Sequence, residues 1–388
     1  MDLVYGVVNM DFRKALRKKR EKFKAFNLIT IDANRLRNNL DILHKNADTE
    51  IIPVLKSNAY GHGIREIASV LEKLKVEMVA VDGYYEARQI YKIFHGKILV
   101  LGVIDRQNVR LLKGRRISYV LQNEKDLHVL GKLRRKTNVH LELNTGMNRL
   151  GLKLSEIDSY LKTLKEYKNL RLEGVMTHLA SADETNNNSP EEQVKEFDTA
   201  VEKILATGFE PTYFHVANSA GTGRINSKFA NAARVGIGLY GINYLENNDK
   251  RFREFAKLRP ILELESTIVK TINLKKGDQV GYGGSFTAEK NMRIGVLPLG
   301  FYEGIARVLS NRGVVSVGEQ ELAIVGRVCM NHVMIDLSGT NLKEGDKVTV
   351  ISKNPNMKNS VMGMQRTFGL FGYETLARLS EHVRRKLI

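Results

Sequence analysis

The stretch Val54-Leu55-Lys56-Ser57-Asn58-Ala59-Tyr60-Gly61-His62-Gly63 decides how the rest of the chain is read. Around its start, Ile51 to Leu55 is short, apolar and rich in β-branched residues, the mark of a buried strand, and one lysine stands at its carboxyl end. Small and turn-forming residues follow, and then Ile64, Ile67, Ala68 and Leu71 recur at the spacing of an amphipathic helix. A strand that ends in lysine, turns on two glycines and feeds a helix points that ammonium at the mouth of an α/β fold, where ligands bind. Taken alone, such a lysine is most often a solvated strand end.

The same grammar repeats along the chain. Apolar runs that read as strands occur near residues 51–55, 77–81, 98–101, 117–121, 138–143, 171–177, 212–216 and 232–236, with helical patterns between most of them, such as Leu154 to Leu164 and Val194 to Leu205. Eight strands alternating with helices over about 200 residues is the arithmetic of a (β/α)8 barrel. Barrel sites sit on the loops at strand carboxyl ends, and polar residues gather there: Lys56 after the first strand, Asn144 to Arg149 after the fifth, His178 after the sixth, Asn218-Ser219 after the seventh, and Arg234-Val235-Gly236 closing the eighth. The phosphate site usual for the last two loops falls on Ser219, Gly236 and Ile237.

From residue 256 the texture changes. Runs such as Ile261 to Val269 and Lys347 to Ile351 alternate or cluster β-formers, and Gly277-Asp278, Gly318-Glu319 and Gly345-Asp346 supply turns. Residues 256–388 therefore read as a β-rich second domain closed by a helix over Tyr373 to Leu387. Residues 27–255 are the barrel, except that 27–32 read as a strand placed to join the second domain. Asp32 reads as the N-cap of a helix carrying Leu36, Leu40 and Leu43. Residues 1–26 are a basic extension in which Phe12, Leu16 and Phe23 share one face of a helix or tail.

Hydrophobic residues make up 43% of the 388, enough for a large core, and no apolar run approaches the length of a membrane span. The start has no basic segment ahead of an apolar one, so no secretory signal is expected. A single cysteine, Cys329, rules out an internal disulfide and fits a reducing cytoplasm. The net charge of +18 suits an anion binder. No zinc-ligand spacing, nucleic-acid motif or basic region feeding heptads accompanies it, so the expected partners include no nucleic acid, metal ion or membrane.

The opening decapeptide closely resembles the cofactor-lysine motif of the alanine racemase family, fold-type III enzymes that use pyridoxal 5'-phosphate (PLP). The resemblance implies that Lys56 joins the cofactor aldehyde and that Tyr60 helps hold its phosphate. Leu141 to Gly151 resembles the family's second signature, whose arginine, here Arg149, binds the substrate carboxylate, a task suited to a rigid two-pronged donor. Ala232 to Gly241 resembles the segment whose arginine, here Arg234, meets the pyridine nitrogen. A guanidinium that stays protonated leaves that nitrogen neutral, which favours racemisation over transamination.

A racemase removes and returns a proton on opposite faces of one carbon, so it needs two bases. Lys56 is one. Val280 to Ala288 resembles the segment that carries the other, here Tyr282, with His178 hydrogen-bonded to it and in line with Arg234. Lowering a phenol by about two pKa units takes roughly 3 kcal/mol of differential stabilisation. In the family this tyrosine comes from the partner subunit, so a homodimer with two shared sites is implied. Val325 to Asn331 resembles the segment whose methionine N–H, here that of Met330, binds substrate carboxylate from the same neighbour. Gly372-Tyr373-Glu374 resembles the motif whose tyrosine reaches the phosphate. The function implied is an isomerase that interconverts L- and D-alanine in the cytoplasm and supplies D-alanine for peptidoglycan.

Several residues depart from the family pattern. Glu142 stands where many relatives carry a carbamylated lysine, and its carboxylate is expected to pair with Arg149 directly. Asn144 and Asn331 replace the usual aspartates, and Phe301 replaces a tyrosine of the access corridor, where Asp183, Arg307 and Arg327 keep the outer charges. These departures leave open a racemase of serine, lysine, ornithine or several amino acids. A PLP-binding protein without catalysis is a further alternative, against which the second domain and Tyr282 argue.

Overall fold

The computed structural model describes residues 25–112, 114–243 and 245–388, so the basic stretch expected at 11–25 lies almost wholly outside the described residues. Strand β1 (Asn27–Ile31) comes first, and Asp32 caps the next helix, Ala33–Ala47, by accepting the Arg35 N–H at 3.0 Å. Eight parallel strands follow: β2 (Glu50–Pro53), β3 (Met78–Val81), β4 (Lys97–Val100), β5 (Ile117–Leu121), β6 (Thr137–Asn144), β7 (Leu170–Met176), β8 (Tyr213–His215) and β9 (Ala232–Val235). Each pairs with the next, and β9 returns to β2 with Ala232 opposite Glu50. The ring closes where β2 meets β3, through the Val54–Ala80 bridge and a 2.7 Å bond from the Leu55 N–H to the Ala80 carbonyl. All eight strands expected from the sequence are present in order, because strands buried on both faces read as unbroken apolar runs. Ile52, Val54, Met78, Leu99, Val120 and Met176 pack together inside the ring.

The second domain is built on a sheet in the order Gln320–Ala323, Val314–Val317, Lys347–Ile351, Leu262–Thr267, β1 and Arg384–Leu387. β1 lies antiparallel to Leu262–Thr267, with Ile29 opposite Leu264, and parallel to Arg384–Leu387, with Ile29 opposite Arg385. Residues 27–31 therefore form an interior strand of this sheet. A smaller antiparallel sheet holds Lys270–Leu274, Met292–Leu297 and Val333–Asp336.

The helix expected over Tyr373 to Leu387 is formed only over its first residues. Helices Val361–Phe368 and Gly372–Ala377 end the helical part, and Arg384–Leu387 is a strand. Leu376, Leu379, Val383 and Leu387 recur at helical spacing, which imitates a helix. The edge of β1 instead gives residues 384–387 a ladder of backbone hydrogen bonds. Among the described residues no helix is long and apolar enough to cross a membrane.

Candidate active site

Lys56 does not sit on a simple glycine turn. Lys56–Tyr60 winds as one tight turn in which Ser57, Asn58, Ala59 and Tyr60 all have positive φ, at 55°, 54°, 53° and 52°. L-residues in the left-handed region cost roughly 1–2 kcal/mol apiece, so this turn persists only because its surroundings hold it. Asn58 Oδ1 accepts the Ile64 N–H at 2.8 Å and so caps the following helix, while Glu86 accepts the Asn58 N–H at 3.2 Å. The buried His62 shares its Nδ1 hydrogen between the carbonyls of Ala59 and Tyr60, at 3.0 and 2.9 Å, and stacks on Tyr240 with ring centroids 4.3 Å apart. Burial keeps that imidazole neutral, with its pKa down at about 4. From the second domain Arg385 reaches back, its Nε and Nη2 donating to the Gly61 carbonyl at 3.0 and 2.8 Å. A side chain at Gly61, where φ is 79°, would strike the Leu376 carbonyl.

The turn presents Lys56 half-buried. Desolvation, followed by the charge of Arg149 and then of Arg234, lowers its pKa and favours the free amine, which is the nucleophilic form.

Arg234, on β9, is 4% exposed. Its Nη1 donates to His215 Nδ1 at 3.1 Å and to the His215 carbonyl at 2.6 Å. Its Nη2 donates to the Thr177 carbonyl at 2.7 Å and to His178 Nδ1 at 3.2 Å. The Nη hydrogens are thus committed to described residues, which leaves Nε–H for a ligand. A guanidinium offers no acceptor, so both imidazoles turn a lone pair to it and carry their hydrogen on Nε2. Desolvation, then the charges of Arg234, Arg149 and Lys56, hold His178 neutral with a pKa of about 3. Burial brings Arg234 down to about 10, against the favourable charge of Glu142, and it remains a cation at neutral pH.

Lys56, Glu142, His178 and Arg234 line one cavity of about 750 Å³, together with Arg149, Ser219 and Tyr373. Ser219 Oγ accepts the N–H groups of Gly236 and Gly238 at 3.0 and 3.3 Å, and a methyl at Gly236 would strike the Tyr60 hydroxyl. The hydroxyls of Tyr60 and Tyr373 and the N–H of Ile237 have no partner among the described residues, and all three residues line the cavity. Burial raises the Tyr60 pKa to about 12, so its hydroxyl stays a hydrogen-bond donor. Buried Arg251, paired with Asp249, donates to the carbonyls of Ala220 and Thr222 at 2.6 and 3.0 Å and fixes the loop that carries Ser219. Free donors around Ser219 and Gly236, a cationic N–H on Arg234 and the Lys56 amine in one cavity fit the phosphate, ring nitrogen and aldehyde of PLP.

Residues 31–244 match the family model for the alanine racemase N-terminal domain, and residues 261–387 match that for the C-terminal domain. The chain belongs to the alanine racemase family. Alanine racemases of Staphylococcus carnosus (33% identical over 378 residues, 94% of this chain and 95% of the relative) and Citrifermentans bemidjiense (33% over 370 residues, 91% and 96%) are similar along nearly the whole length. Among solved structures, an alanine racemase of Clostridium difficile gives a TM-score of 0.86 at 26% identity, covering 95% of this chain and 97% of that one. An alanine racemase of Bacillus anthracis with bound L-Ala-P gives 0.85 at 28% identity, covering 94% and 96%. Enzymes of this family are PLP-dependent isomerases.

For a member of the alanine racemase family, one expected contact is not made. Glu142 does not pair with Arg149: its Oε2 accepts from Gln122 Nε2 at 2.9 Å, and among the described residues no ion pair within 4.0 Å joins it to the arginine. The buried carboxylate is satisfied by a neutral amide that the sequence offered no reason to choose. The bond expected for His178 is to a tyrosine of another subunit, and within the chain Tyr282 lies away from it. Tyr282 is 71% exposed on the second domain, Met330 is 58% exposed, and neither lines the cavity. Asn311 ties their two loops together, donating to the Ser285 carbonyl at 2.9 Å and accepting the Gly326 N–H at 2.6 Å. Phe301 and Tyr302 donate their N–H groups to the carbonyls of Cys329 and Met330, both at 3.0 Å, while Asn331 donates to Glu303 at 2.9 Å. Asn144 uses its Oδ1 on the N–H groups of Gly146 and Asn148, at 3.3 and 3.0 Å, so this departure shapes the Arg149 loop. His215, Glu86 and Arg385 escaped the sequence reading. His215 ends a strand expected at 212–216 and could have been marked as a buried strand-end imidazole; Arg385 lies in the segment read as helix.

Proposed function

We propose that this protein interconverts L- and D-alanine with PLP held at the mouth of the barrel, and that it supplies D-alanine for peptidoglycan. The observation that carries this is Arg234, whose remaining Nε–H belongs to a cation unable to accept a hydrogen bond. A pyridine nitrogen set against it stays neutral. Bound there, PLP supplies an aldehyde that captures the substrate amine and a ring that draws electron density from the α-carbon. The chain's own residues do the rest.

Lys56 anchors the cofactor and, once released, takes or returns a proton at Nζ on one face of the α-carbon. Tyr60, Ser219, Gly236, Ile237 and Tyr373 bind the phosphate, and Arg149 clamps the substrate carboxylate. His178 directs its Nε2–H at the phenolate of Tyr282 of the partner subunit, the base for the opposite face, and Met330 of the partner subunit adds an N–H to the carboxylate. The barrel, with Tyr373 of the second domain, thus holds the cofactor while Tyr282 and Met330 complete a neighbour's site, which makes the working unit a homodimer. The exposure of Tyr282 and Met330 outside their own cavity supports this arrangement. The lone cysteine accords with a cytoplasmic location.

Purified protein with added PLP, offered single L-amino acids and followed by chiral chromatography, is expected to turn over alanine fastest. Much faster turnover of serine, lysine or ornithine would replace the substrate, and turnover of none would replace the racemase with a cofactor carrier. Lys56→Ala is expected to lose the cofactor's absorption band. Tyr282→Phe is expected to keep bound cofactor but to lower alanine turnover by roughly 100-fold or more, the scale of a lost general base.

A further inference from the structure

His215, which accepts from Arg234, begins a line of buried polar groups that none of the steps above uses. Its Nε2 lies 2.7 Å from His140 Nδ1, and His140 Nε2 lies 3.4 Å from Glu173 Oε2. These three side chains come from β8, β6 and β7 and are 0%, 0% and 2% exposed. Because Arg234 can only donate, His215 carries its hydrogen on Nε2 and gives it to His140 Nδ1. His140 then carries its own on Nε2, aimed at Glu173. Burial opposes ionisation of Glu173, but hydrogen bonds from His140, Ser118 Oγ at 2.6 Å and Lys97 Nζ at 3.1 Å override it and hold the pKa at about 2. Asn138 Nδ2 adds a bond to Oε1 at 3.1 Å.

We propose that Glu173, His140 and His215 are positioning residues for racemisation: the carboxylate dictates the tautomer of two successive imidazoles, and so the lone pair that orients Arg234. This rests on the reading that Arg234 meets the PLP ring nitrogen. An anion bonded directly to the guanidinium would offset its charge at contact distance; set back by two neutral rings, it orders Arg234 and leaves the cation facing the cofactor.

Glu173→Gln provides the test. Lys97 can only donate, so the new amide turns its oxygen to Lys97 and its NH2 to His140. Both imidazoles then reverse, and His215 sets an N–H against an N–H of Arg234. Nitrogen-15 NMR of the histidine-labelled full chain, with and without PLP, reports these tautomers. The native protein is expected to carry hydrogen on Nε2 of both His140 and His215, Glu173→Gln on Nδ1 of both, and Glu173→Asp the native pattern. Losing one charge-assisted hydrogen bond to Arg234 should lower kcat of the Gln variant by about 10- to 100-fold, with KM for L-alanine within about 3-fold of native. Its cofactor absorption band should also be displaced, and Glu173→Asp should recover most of kcat. Native His215 protonated on Nδ1, or reversed tautomers with unchanged kcat, overturns the proposal. The native spectra need neither a folded variant nor a substrate, so they decide the relay separately from the substrate screen.

Discussion

Gly236 shows how closely the phosphate cradle is drawn. Its N–H goes to Ser219, and the place a side chain would take is filled by the Tyr60 hydroxyl. Gly236→Ala is therefore expected to weaken PLP binding by about 10-fold or more, from an overpacking cost of about 1–3 kcal/mol, as measured by fluorescence on dialysis against graded PLP. Ser219, Gly236 and Ile237 were legible because they sit after the last two barrel strands, whereas Tyr60 and Tyr373 came only from the family resemblance. Lys56 and Arg234 were legible at strand ends as well. Gln122 was not: nothing in an isolated glutamine announces that it will meet a carboxylate on the next strand, so the partner of Glu142 was assigned by charge and assigned wrongly.

At the level of single elements, the left-handed turn after Lys56 is the costliest local conformation described, and Arg385 is its brace from outside the barrel. Arg385→Ala is expected to destabilise the protein by about 1–3 kcal/mol, the cost of unsatisfied buried carbonyls. It should also speed PLP release, which stopped-flow competition with an excess of a carbonyl-trapping amine would register; an unchanged release rate would confine the arginine to general stability. The turn was hidden from the sequence because none of Ser57, Asn58, Ala59 and Tyr60 is glycine, the residue that ordinarily marks positive φ. The barrel strands were plain by contrast, since β5, ISYVL, is buried at every position and has no competing helical period. Arg384–Leu387 was missed because its residues RRKL lie at an edge, where charge is tolerated and apolar spacing no longer reports the fold.

For the whole molecule, buried imidazoles set the response to acid. His62 and His178 have an ordinary pKa of 6.5 but titrate near about 4 and 3 in the fold. Between those values the unfolded chain binds more protons, so the stability these neutral rings contribute is full above 6.5 and is lost as pH falls toward 4. By pH 4.5 His62 alone removes roughly 3 kcal/mol, and urea titrations at pH 7.5 and 4.5 would record it; His62→Gln should flatten the difference by that share. The strands and turns of the second domain were readable as a class, but not its meeting with the barrel, because Arg385 and Gly61 are separated by 324 positions and share no local pattern. That same separation has a bearing on biosynthesis. The lysine loop leaves the ribosome well before the arginine that steadies it, 324 positions further along, is translated. A nascent barrel therefore carries its most strained segment unsupported while those residues are added, and the vitamin-derived cofactor finds a finished pocket only once elongation has passed residue 385.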